Sequence, residues 1–214
     1  KNRTVTSATD STDLGLRERK RLATRRAIQF AVLTLMKDRG LDGVTVDEAS
    51  RLADISPRTF FNYFASKEEA ILGDPPELPD DEVVDQFVRA PDGENLIDGL
   101  VTLLSAASEK TMADAELIAL RHALIKAHPQ LCALRMAKMR TFEDALTGVI
   151  TRRLAQDVPA ADPSDVDNRA RLITLVAFGV MRHAWASWAR KGSSSDLAEE
   201  LSDSFAQLQM FVAP

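Results

Sequence analysis

Residues Thr45 to Glu69 read TVDEASRLADISPRTFFNYFASKEE, and three helix starts are packed into this stretch. Thr45 is followed three residues on by Glu48, and Ser66 three residues on by Glu69. A hydroxyl with Glu at that spacing is a capping box. Ser56 is followed directly by Pro57, and Pro is preferred at the first helical position. Starts this close leave room only for very short helices joined by tight turns. That is the layout of a helix-turn-helix, whose second helix can enter a DNA major groove.

Working outward, Leu22, Ala27, Ile28, Ala31, Leu35 and Met36 recur at helical spacing, so a helix is expected from Leu16 to Arg39. Gly40 is placed to end it as a C-terminal cap. Residues 1–15 are rich in Ser, Thr and Asp and are expected to form a disordered arm. Downstream, DPPELPDDE carries Pro75, Pro76 and Pro79, which break any helix. The expected division is therefore an arm at 1–15, a DNA-binding domain at 16–74 and a second domain at 75–214.

That second domain reads as all helix, with expected helices at 80–89, 93–110, 113–127, 129–156, 164–191 and 194–212, and with Ser164 and Ser195 or Asp196 as N-caps. Residues 157–163 are expected to form a loop. The last helix carries one apolar stripe, Leu197, Leu201, Phe205, Leu208 and Val212. The one before it is apolar on several faces: Leu172, Ile173, Val176, Ala177, Val180, Met181, Ala184, Trp185 and Trp188. Such a helix is buried on more than one side. It is either the centre of a monomer or one part of a two-fold four-helix bundle. For the bundle, the expected interface residues are Leu172, Val176, Val180, Leu197, Leu201, Phe205, Leu208 and Val212.

Charge is divided unevenly. The formal net charge is −5, yet residues 1–70 carry 13 Lys and Arg against 10 Asp and Glu, whereas residues 71–214 carry 14 against 22. A basic head on an acidic body is steered to present the head to polyanions. The single cysteine, Cys132, rules out an intramolecular disulfide. The longest apolar run, Leu172 to Met181, is too short to span a bilayer, and no secretory signal pattern is legible. The expectation is a cytoplasmic protein without membrane contact.

Enzyme signatures are missing from the sequence. It holds no Gly-rich phosphate loop and no Gly-x-Ser-x-Gly elbow, and His122, His128 and His183 are scattered. His128 and Cys132 are four apart, but two ligands do not make a zinc site. No catalytic residue, metal or cofactor is expected.

From Thr24 to Glu69 the chain resembles the TetR family of bacterial transcriptional regulators. The residues that carry the likeness are Thr24-Arg25-Arg26, Gly40, Thr45-Val46-Asp47-Glu48, and the run from Ser56 to Lys67, Ser-Pro-Arg-Thr-Phe-Phe-Asn-Tyr-Phe-Ala-Ser-Lys. Phe61 stands where the family often has Tyr, Asp54 where it often has Gly, and Ala49-Ser50 where Ile-Ala is usual. The resemblance implies an all-α fold, an N-terminal helix-turn-helix and a helical domain that binds a small ligand and dimerises. It implies a homodimeric repressor that binds a palindromic operator in double-stranded DNA and is released by a small, largely apolar effector, either a long-chain acyl-CoA or a lipophilic drug. Half-sites would lie about 34–36 Å apart or at multiples of that. The alternative is a helical DNA-binding protein without a ligand, acting as an activator or architectural protein.

Roles follow for single residues. Arg58 can reach a base edge, and Asn62 can pair with adenine. Ser56 and Pro57 open the recognition helix. Thr59 and Tyr63 offer hydroxyls to phosphate, and Phe61 offers packing or a thymine-methyl contact. Thr45 and Lys67, at helix starts, are expected at phosphates, as are Arg25 and Arg26. Phe60 and Phe64 belong to the small core. For the effector, the candidate lining is Leu100, Leu103, Leu104, Leu117, Leu120, Leu124, Met136, Met139, Phe142, Trp185 and Trp188, with His122, Arg121 and Arg135 as polar contacts; ordinary core is the competing reading. Residues 121–154, with His128-Pro129 in the middle, resemble actinobacterial regulators related to the mycofactocin regulator, which answer to long-chain acyl-CoA.

Overall fold

The structure is a computed structural model, and it describes residues 10–89, 95–111, 114–157, 162–191 and 196–212. All regular structure among the described residues is helical. The chain divides into two compact units, Lys1–Gly73 and Asp74–Pro214.

In the first unit, α1 (Asp10–Arg39) packs on α2 (Val46–Leu52) and α4 (Lys67–Leu72), and α3 (Pro57–Tyr63) packs on α2. The three closely spaced starts are all used. Thr45, Ser56 and Ser66 are N-caps whose side-chain oxygens accept from the amides of Glu48, Thr59 and Glu69. The boxes close in their own way. Glu69 accepts from the amide of Ala65 at 2.7 Å, whereas Glu48 accepts from the Thr45 hydroxyl at 3.0 Å and from Arg39 at 2.7 Å. Gly40, at φ 74°, ends α1, and its amide reaches the Met36 carbonyl. Asp54 turns the chain between α2 and α3 at φ 53°, where L-residues other than Asn and Asp are strained.

The core under these helices is Ile28, Val32, Leu33 and Met36 of α1, with Val44, Ala49, Phe60, Phe64, Ala70 and Ile71. None of α2, α3 or α4 is long enough to be stable alone, since isolated helices shorter than about 12–15 residues are marginal. Their stability comes from this shared burial, at roughly 1.5–3 kcal/mol for each large apolar side chain.

The N-terminal arm departs from expectation. Instead of running through residue 15 it gives way to α1 at Asp10. A bond from Arg19 Nε to the Gly15 carbonyl at 3.1 Å ties the expected helix to the residues before it. Residues 1–9 of the expected arm lie outside the described residues.

The second unit comprises α5 (Asp81–Val88), α6 (Leu96–Thr111), α7 (Ala115–Ala127), α8 (Pro129–Asp157), α9 (Pro163–Lys191) and α10 (Leu197–Val212). Helix α9 packs between α8 and α10, α6 packs on α10, and α5 bridges α6 and α8. Asp162, rather than Ser164, opens α9: its carboxylate accepts from the Ser164 amide at 2.8 Å and hydroxyl at 2.6 Å. Asp196 plays that part for α10, accepting from the Ala198 amide.

The second core is Leu100, Leu103 and Leu104 of α6, Phe142, Leu146, Val149 and Ile150 of α8, Ala177, Val180, Met181, Ala184 and Trp188 of α9, and Leu197, Leu201 and Phe205 of α10. A cation lies inside it. Arg153, 4% exposed, donates to the Phe87 carbonyl at 2.8 Å and to both Asp157 carboxylate oxygens at 3.1 Å. Its guanidinium therefore closes the C-terminal end of α5, where positive charge is favoured. Gly99 faces the Phe87 ring so closely that a Cβ would sit 3.0 Å from it.

Candidate nucleic-acid interface

The recognition helix α3 has two sides. Phe60 and Phe64 point into the core, their rings 6.1 Å apart. Ser56, Pro57, Arg58, Phe61 and Asn62 are exposed, and Thr59 and Tyr63 are half-buried at the flanks. Phe61 is 56% exposed, far more than a core Phe tolerates without a partner. The outward face thus offers a guanidinium, a carboxamide and an aromatic ring within two helical turns. Arg pairs with guanine, Asn with adenine, and an apolar ring with a thymine methyl.

Two of the hydroxyls expected at phosphates, those of Thr59 and Thr45, have structural partners. Ser56 Oγ lies 2.9 Å from Thr59 Oγ1 and accepts from the Thr59 amide at 3.1 Å. Thr45 caps α2 as described above.

Two of the expected phosphate contacts turn inward instead. Arg25 Nη1 donates to the Tyr63 carbonyl at 3.0 Å, and its guanidinium stacks over the Phe64 ring at 4.1 Å. It fastens α1 to the C-terminal end of the recognition helix. Lys67 Nζ donates to the carbonyls of Leu41 at 3.0 Å and Val44 at 2.9 Å, so it holds the turn that follows α1. Both cations satisfy backbone carbonyls that helix ends and turns leave open, which is a stronger local claim on them than solvent. Arg26 is exposed.

Residues 31–71 match the family model described as bacterial regulatory proteins, tetR family, and residues 94–212 match the MftR C-terminal domain. The chain is also 30% identical over 184 residues to the HTH-type transcriptional regulator TcmR of Streptomyces glaucescens, covering 81% of this chain and 76% of that one. This chain belongs to the TetR family.

As a TetR-family transcriptional regulator it carries its helix-turn-helix in α2 and α3. Among solved structures it resembles the fatty acid degradation regulator FadR from Bacillus halodurans, at a TM-score of 0.53 and 15% identity over 86% of this chain and 94% of that one. That likeness speaks for the fold. FadR from Thermus thermophilus, a TetR family repressor in complex with lauroyl-CoA, is 21% identical over 86% of this chain and 92% of that one, and its TM-score of 0.47 is too low to carry weight.

The residues expected to line an effector pocket do not share one environment. Leu100, Leu103, Leu104, Leu117, Phe142 and Trp188 are buried by neighbouring helices. Leu120, Arg121, Leu124, Arg135, Met139 and Trp185 are half-buried, and Met136 is 61% exposed. A groove of about 390 Å³ runs between α8 and α9, lined by Glu143, Asp144, Thr147, Gly148, Thr151, Asp167 and Arg171, and it includes none of the expected lining. On α7 and α8 a cationic neighbourhood forms instead. His122 is pushed below its ordinary range by burial, then by Arg135 and Lys126, and burial lowers Arg135 as well.

The expected interface residues are divided in the same manner. Val180, Leu197, Leu201 and Phe205 are buried in this chain's own core, and Leu208 packs against it. Val180, Leu197, Leu201 and Phe205 therefore belong to this chain's own core rather than to an outward face, whereas Leu208 is half-buried. Leu172 at 62% and Val176 at 40% are exposed, and Leu175, which the sequence pattern did not single out, joins them at 53%. All three fall on one face of α9, at spacings of one, three and four residues. The side chain of Val212 lies outside the described residues. No helix among the described residues is long and apolar enough to cross a membrane.

Proposed function

We propose that this chain is a repressor that binds a palindromic operator as a homodimer and is released by an amphipathic effector, a long-chain acyl-CoA. The observation that carries the DNA half of this reading is the division of α3. Its apolar side chains Phe60 and Phe64 are used up in the core, while Arg58, Phe61 and Asn62 are turned to solvent. Homodimerisation is supported by Leu172, Leu175 and Val176 on one exposed face of α9, a helix whose opposite side is buried. Two such faces across a two-fold axis would cover each other.

The effector reading is supported by the match of residues 94–212 to the MftR C-terminal domain. His122, Lys126 and Arg135 suit the anionic end of such a ligand, and half-buried Leu120, Leu124 and Met139 suit its chain. The test is a titration of a preformed complex with inverted-repeat DNA from beside its own gene. Release by long-chain acyl-CoA at micromolar concentration, but not by coenzyme A alone, is the expected result; complexes indifferent to every chain length would sink the effector reading. The close packing of Leu103, Leu104 and Phe142 favours a second reading, a regulator that binds DNA without a ligand, and indifference to the titration is its signature.

A further inference from the structure

The first turns of α1 stand clear of the core that the rest of the helix joins. Every described residue from Gly15 to Ala23 is exposed, on all sides of the helix, and from Gly15 onward the first buried residue of α1 is Ile28. At 1.5 Å per residue, the stretch from Gly15 to Ile28 projects roughly 20 Å beyond the small core. A helix of this length gains little from its own bonds, and Gly15 within it costs about 1 kcal/mol relative to Ala. What the segment does carry is charge: Arg17, Arg19, Lys20 and Arg21 against the single carboxylate of Glu18. Glu18 is already engaged by Arg21 through two bonds, at 2.7 and 2.8 Å.

The geometry points to a second DNA contact: we infer that residues 15–23 of α1 lie along the phosphate backbone flanking the half-site that α3 reads. This rests on the DNA-binding reading above and extends it to residues outside the helix-turn-helix. Two observations choose DNA as the occupant. The charge is of the sign and density that phosphates recruit. The segment is also continuous with a helix whose Arg25 is fastened to the last residue of α3 at 3.0 Å. From Arg25 back to Gly15 is roughly 15 Å, the axial rise of four or five base pairs of duplex at about 3.4 Å each. Contacts there fix register and add affinity without reading bases.

The full-length protein carrying Arg17→Gln, Arg19→Gln and Lys20→Gln tests this. Gln keeps helix propensity, and circular dichroism checks that α1 is intact. Operator affinity is measured from 50 to 300 mM salt for this variant, for the wild type and for Arg17→Lys with Arg19→Lys. Each phosphate that is no longer neutralised lowers the slope of log K against log salt by about 0.9, so the Gln variant should lose about 2 to 3 from the slope. Its preference for operator over random duplex should stay unchanged, its hydroxyl-radical footprint should shorten outside each half-site, and the Lys variant should keep the wild-type slope. A Gln variant with the wild-type slope and footprint overturns the inference while leaving the DNA-binding reading intact. A wild type that binds no duplex overturns both. If the Gln variant instead loses only binding to vesicles of phosphatidylglycerol, the segment is a membrane contact and the inference fails.

Discussion

The ammonium of Lys67 lies 3.0 Å from the carbonyl oxygen of Leu41, 26 residues earlier in the chain, and 2.9 Å from that of Val44. One cation therefore ties the start of α4 to the turn between α1 and α2. Hydrogen bonds to a charged group contribute about 1.5–3 kcal/mol each when well shielded, and less for a half-buried lysine. Lys67→Met should lower the thermal midpoint and weaken operator binding while leaving the salt slope unchanged. A slope that falls by about 0.9 would return Lys67 to the phosphate backbone.

Arg58 is the outward guanidinium of α3. Arg58→Ala should cost about 1–3 kcal/mol on operator and little on random duplex, with relaxed preference at one base pair in each half-site. Competition binding against a panel of single-base operator variants reads this directly, and an equal loss on all sequences would move Arg58 to the phosphates.

Two substitutions in the helix-turn-helix should stabilise it. The Ser50 hydroxyl is buried without a hydrogen-bond partner, and a stranded polar group costs about 1–3 kcal/mol. Ser50→Ala should raise the denaturation midpoint. Asp54 holds φ 53°, so Asp54→Gly relieves backbone strain, and Asp54→Val should cost about 1–2 kcal/mol. Chemical denaturation followed by circular dichroism separates the three, and a less stable Ser50→Ala would mean that the hydroxyl has a partner after all.

Leu175 and Phe205 separate assembly from folding. Leu175→Asp, on the exposed face of α9, should shift the protein toward monomer in light scattering and leave helicity unchanged. Phe205→Ala, in the core, should cost about 3–5 kcal/mol of stability. A Leu175→Asp protein that remains dimeric would place the interface on another face.

His122 should make stability depend on pH. Its folded pKa is lowered, by burial first and then by Arg135 and Lys126. Below the ordinary value of 6.5 the unfolded chain takes up a proton that the folded chain resists, so stability falls as pH drops through that value and is untouched above it. Comparing denaturation midpoints at pH 7.5 and 5.5, His122→Gln should lose less than the wild type. Equal losses would assign the effect to other groups.

The helix-turn-helix was legible because caps act over three or four residues. Thr45, Ser56 and Ser66 each open a helix, and Gly40 closes one. The faces of α9 were not legible, because a helix apolar around its girth does not say which side meets which neighbour. Leu175 escaped notice for that reason. The inward cations did so because charge reads as surface. Yet each sits in register with a buried stripe: Arg25 with Ile28 and Val32, Lys67 with Ala70 and Ile71, and Arg153 with Leu146, Val149 and Ile150. A cation at an inward helical position is a signal for a backbone-carbonyl clamp.

If α3 reads the operator as proposed, its two-sided build separates what this regulator reads from what keeps it folded. Phe60 and Phe64 contribute the burial, and Arg25 sets the pose from outside the helix. Arg58, Phe61 and Asn62 contribute little to either. The operator is thus a replaceable vocabulary. Changing those three side chains should redirect the protein to a new half-site at little cost in stability, which makes α3 a socket for engineered specificities and leaves room for related regulators to diverge in target while sharing one scaffold.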